Sequence, residues 1–73
     1  MTGYSPPPLS ERSDADLVDT LAFFEHRARQ WGEYADRFSD PAGLMRIEAG
    51  CWSRRAEAVR AEMATRNQQE MAA

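Results

Sequence analysis

Ala35-Asp36-Arg37-Phe38-Ser39-Asp40-Pro41-Ala42-Gly43-Leu44-Met45 is the stretch on which the fold turns. Ring atoms of a proline push the preceding residue out of helical geometry, so a helix arriving from the N-terminal side ends near Phe38. Asp40 is a good N-cap and Pro41 suits the first position of a new helix, so a second helix is expected to restart at about residue 41. A connection this short makes the two helices antiparallel neighbours.

Working outward, both flanks carry the apolar spacing such a hairpin needs. Upstream, Leu17, Leu21, Phe24, Ala28, Trp31, Ala35 and Phe38 alternate at intervals of four and three, the seam of a helix packed against a partner. Downstream, Met45, Ala49, Trp52, Ala56, Val59 and Met63 do the same. Folding the chain at the turn pairs positions whose numbers sum to 83 or 84, so that Ala35 meets Ala49, Trp31 meets Trp52 and Ala28 meets Ala56. Alanine layers allow close backbone approach, and large layers between them lock the offset. Gly32, beside the tryptophan layer, is read as making room for an indole.

The expected fold is therefore all-α: an antiparallel two-helix hairpin with helices over about 13–38 and 41–67, dimerising into a four-helix bundle. Ser13 with Asp16 resembles a capping box, and Asp14, Asp16 and Asp19 lie where the helix dipole favours negative charge. Residues 1–9, with Pro6-Pro7-Pro8, read as an extended tail of polyproline type. Beyond the second seam, Arg66 and Glu70 fall on the apolar stripe, so fraying is expected over 68–73.

Composition bounds the function. Seventy-three residues make one small domain, with Cys51 the single cysteine. That number forbids an internal disulfide, and with one histidine it is too few for a structural zinc site. No signal peptide is read at the N-terminus, and no apolar run approaches a membrane span. A cytoplasmic protein without membrane attachment is expected. All nine basic residues are arginine and the net charge is −3. That sign argues against a dedicated nucleic-acid binder.

A second apolar stripe points to association. At 100° per residue, Phe23 and Tyr34 lie about 100–120° from the first seam's centre, with Phe38 leaning the same way. Leu44, Ile47, Cys51 and Ala58 are displaced in the same sense on the second helix. Because the helices run in opposite directions, both stripes reach one broad side of the hairpin. Arg27, Arg55, Glu48 and Glu62 interrupt it, as charges that set register and partner choice do. Glu25, Arg29, Asp36, Arg46, Ser53, Glu57 and Arg60 occupy the other, water-facing side. The expected partner-binding residues are Phe23, Tyr34, Phe38, Leu44, Ile47 and Cys51, with Arg27 and Arg55 among them.

Catalysis is not expected. His26 lies opposite the seam and away from Cys51, so no nucleophile–base pair is available. No Glu-x-x-His pattern, phosphate loop or metal cluster is present in the sequence, and no cofactor is implied. The leading expectation is a small non-catalytic protein that binds protein surfaces as a regulator, adaptor or inhibitor, with homodimerisation through the same side. A phage-encoded inhibitor of a host defence complex is one setting that a compact, arginine- and alanine-rich hairpin suits. The architecture is also similar to that of plasmid copy-number regulators of the Rop type, in geometry and without a shared motif. That resemblance implies an RNA-binding hairpin dimer with a basic stripe at Arg27, Arg54 and Arg55. A structural subunit of a larger assembly is the third alternative.

Overall fold

A computed structural model describes residues 7–72. Two helices make up the fold: α1 over Asp14–Arg37 and α2 over Leu44–Ala72, preceded by a single 3-10 turn at Leu9–Glu11. Among the described residues there is no strand, and no helix is long and apolar enough to cross a membrane. The all-α hairpin expected from the seams is the observed architecture.

α1 begins where its cap is. Ser13 is extended (φ −68°, ψ 161°), and its hydroxyl oxygen accepts a hydrogen bond from the Asp16 backbone N–H at 3.1 Å. One of the orphan donors of the first turn is satisfied in this way. At the other end Phe38 leaves helical geometry (φ −116°, ψ 157°), while its N–H still donates to the Tyr34 carbonyl at 2.9 Å.

The turn departs from the expected restart at residue 41. Pro41 and Ala42 form a turn, Gly43 takes left-handed backbone at φ +71°, and α2 starts at Leu44. Gly43 is the residue type that occupies this region without a Cβ clash. Its N–H donates to the Asp40 carbonyl at 3.0 Å. Asp40 does cap the second helix, but from further upstream. Its two carboxylate oxygens accept from the N–H groups of Met45 (3.2 Å) and Arg46 (3.3 Å).

α2 also continues to Ala72, past the expected end near residue 67. Arg66 supplies the reason. Its guanidinium donates to Glu62 Oε2 (3.0 Å), Asp14 Oδ1 (2.7 Å) and the carbonyls of Leu9 (2.9 Å) and Ser10 (3.4 Å). Asp14 first, then Glu62, hold the Arg66 pKa above its ordinary value. The charge that interrupts the apolar stripe is tied across the open end of the hairpin. Beyond it, Gln68, Gln69, Glu70, Met71 and Ala72 are good helix formers. Leu9 belongs to the 3-10 turn that Arg66 holds, not to an extended tail. Residues 1–6 and Ala73 lie outside the described residues.

The core is narrow. Leu17 and Val59 are 0% exposed, and Ala35 and Ala56 are also buried. All four are seam positions. Cross-helix ion pairs Asp36–Arg46, Glu25–Arg60 and Asp14–Arg66 bracket the expected register from the turn to the open end.

Within that register the tryptophans do not behave as a simple pair. Trp52 packs on Phe24 and Phe23, with ring centroids 5.7 Å away in each case, and Trp31 packs on Tyr34 at 5.7 Å. Among the described residues the two indoles make no ring contact with each other. Gly32 gives neither of them room: a Cβ built there meets nothing within 4 Å. Gly32→Ala is therefore expected to stabilise the hairpin by about 1 kcal/mol through helix propensity. Thermal unfolding should show a midpoint higher by about 4–8 °C. A lowered midpoint would mean that the position needs its missing side chain after all.

Candidate interaction surface

The two broad sides of the hairpin are built from different chemistry. On one side Glu25 and Arg60 pair across the helices, Asp36 and Arg46 approach to 3.6 Å, and a shallow groove is floored by Ala28 and Ala56 with Arg29, Ser53 and Glu57 at its edges. This is the side read as water-facing.

The other side carries a connected aromatic strip. At one end Phe23 meets Trp52 edge-on, with an interplanar angle of 89°. Phe23 and Phe24 lie 6.0 Å apart. At the other end Trp31 meets Tyr34 edge-on, and Tyr34 continues to Phe38 at 6.1 Å. Edge-to-face rings gain from quadrupole attraction in addition to area burial.

Arg27 joins the two ends. Its guanidinium carbon is 5.5 Å from the Trp52 ring and 6.0 Å from the Trp31 ring. Its Nη1 donates to Gln30 Oε1 at 2.6 Å, and the Gln30 amide donates to Tyr34 Oη at 3.1 Å. Arg55 lies closer still, 4.6 Å from Trp52. One indole thus holds two guanidiniums, each attracted by the ring's negative face. Among the described residues, neither Arg27 nor Arg55 has a carboxylate within ion-pairing distance.

The expected contact residues divide into two groups. Phe23, Arg27 and Arg55 are gathered on Trp52, and Tyr34 and Phe38 form the far end of the same strip. Leu44, Ile47 and Cys51 follow one another at i, i+3 and i+7 on one face of α2. Leu44 and Ile47 are 67% and 59% exposed, and Phe38 is 58% exposed. Cys51 is a half-buried free thiol whose Sγ accepts from Arg54 Nη2 at 3.4 Å.

Trp31, Trp52 and Gln30 are members of this surface that the seam pattern hides, because both indoles sit on the seam. A signal does exist: Arg27 and Trp31 are four apart and Arg55 and Trp52 three apart, spacings at which helical side chains meet. Both indole Nε1–H groups are buried without an acceptor among the described residues, a desolvation cost that buried donors usually avoid. His26 is exposed and stands apart from this strip. No protein-family model, curated protein or solved structure matches the chain.

Proposed function

We propose that this chain is a small non-catalytic interaction protein, a regulator, adaptor or inhibitor, that acts by laying its aromatic broad side on the surface of a partner protein. One observation carries the reading. Phe23, Tyr34, Phe38, Leu44 and Ile47, all exposed, share one broad side while the opposite side is closed by cross-helix ion pairs. Scattered apolar residues on a surface need no explanation, but apolar residues gathered on one side of a small domain are the mark of an association face. Dimerisation into a four-helix bundle would use this same side.

Site-specific photocrosslinking tests the reading whatever the partner's identity. The full chain carrying benzoylphenylalanine at Tyr34 should give one discrete protein adduct in the cells that make it. The same group at Ser53, on the opposite side, should give none. Adding Ile47→Glu to the Tyr34 probe should abolish the adduct while leaving the helical circular dichroism in place. Adducts from Ser53 alone, or from neither position, would remove the proposal.

A further inference from the structure

We infer that the broad side receives an acidic amphipathic helix from a different protein, whose carboxylate bridges Arg27 and Arg55. The inference rests on the interaction reading above and names the partner's chemistry. Two guanidiniums are held against the Trp52 ring at 5.5 and 4.6 Å, with no carboxylate among the described residues paired to either. Arg46, Arg60 and Arg66, by contrast, each reach a carboxylate on the other helix or at its N-terminus. Positive charge is therefore left unneutralised at the middle of an apolar strip. Guanidinium forks bind carboxylates bidentately, and partial desolvation on an aromatic face strengthens the bond.

The same pair of arginines argues against a second copy of this chain. Two symmetric arrangements place one hairpin face-down on another with full overlap. With both turns at the same end, α1 faces the copy's α2, and Arg27 meets the copy's Arg55. With the turns at opposite ends, α1 faces α1 about its middle, and Arg27 lies within a turn of its own copy. The first arrangement collects four guanidiniums at one level and the second brings the two Arg27 side chains together, the like-charge juxtaposition that disfavours a wrong partner. An acidic helix turns this repulsion into attraction.

Dimensions set the partner's length. Phe23 to Phe38 spans 16 residues of sequence along α1, about 24 Å of helix. A helix of about that length lies along the strip, with apolar anchors at its two ends against Phe23 and against Tyr34 and Phe38. Its acid falls between them, opposite Arg27 and Arg55.

The test uses the full chain and a pair of synthetic helical peptides of roughly 18 residues. Both carry leucines at i, i+3, i+4 and i+7 spacing. One has glutamates flanking the central turn, and its twin has lysines there. Fluorescence anisotropy at about 0.15 M salt is expected to show the glutamate peptide binding at least about tenfold tighter than the lysine twin. Arg27→Gln with Arg55→Gln should erase that preference while leaving the circular dichroism unchanged. Equal binding of both peptides, lost in Tyr34→Glu, overturns the acidic partner and leaves the interaction reading standing. A homodimer by light scattering that Ile47→Glu dissolves does the same, with a second copy as the occupant. Displacement of the glutamate peptide by a structured RNA at the same salt would replace the protein partner with nucleic acid. Binding of neither peptide, with a monomeric mass, overturns the inference, whereas the interaction reading itself falls only with the crosslinking result.

Discussion

Trp52→Ala should leave the hairpin largely unfolded at ambient temperature. Truncating a tryptophan packed between helices costs about 3–5 kcal/mol, and a single core in a chain this short rarely supplies more than about 3–5 kcal/mol in all. Trp52 also touches Phe23, Phe24, Arg27 and Arg55 together. Its loss leaves two guanidiniums without their aromatic support and opens a void between the helices. Trp52→Phe is the informative control: it keeps a ring in the layer and deletes the orphaned indole N–H. Far-ultraviolet circular dichroism should show helix lost in the alanine variant and retained in the phenylalanine variant. A folded alanine variant would mean that the alanine layers hold the hairpin by themselves.

The second large effect is expected at the open end. Leu17→Ala removes a side chain that is 0% exposed and should cost about 2–5 kcal/mol. Its neighbour Val18 is 54% exposed, so Val18→Ala should change stability by no more than about 0.5 kcal/mol. Urea denaturation separates the two. The midpoint should fall sharply for Leu17→Ala, with little change in slope, and stay put for Val18→Ala. Equal effects at both positions would contradict the face that α1 turns inward.

These contrasts mark what is legible from residue types alone. Seam positions are legible because helical periodicity is local, and Leu17, Ala35, Ala56 and Val59 are all seam residues. The Ser13 cap is legible for the same reason, since donor and acceptor are three residues apart. The turn is only half legible. Asp40 is recognisable as a cap, but the left-handed Gly43 moves the helix start by one turn, and its dihedral depends on how the two helices meet. Arg66 reads as the end of a stripe because its partner Asp14 is 52 positions away. On the aromatic side, Phe23, Tyr34, Phe38, Leu44 and Ile47 are exposed apolar residues, as their angular positions imply. The role of Trp52 as the platform for both arginines is half legible: Arg55 is three residues away on the same helix, whereas Arg27 reaches the ring from the other helix, which local spacing does not reveal.

One consequence of the two unlike broad sides concerns chirality. A plain pair of antiparallel helices has no preferred hand, because a third helix could settle on either side. Here Glu25–Arg60 and Asp36–Arg46 occupy one side and the aromatic strip the other. A helix that docked as proposed would land on the aromatic side and complete only one of the two mirror-related three-helix arrangements. The handedness of such a complex would be set by the hairpin alone.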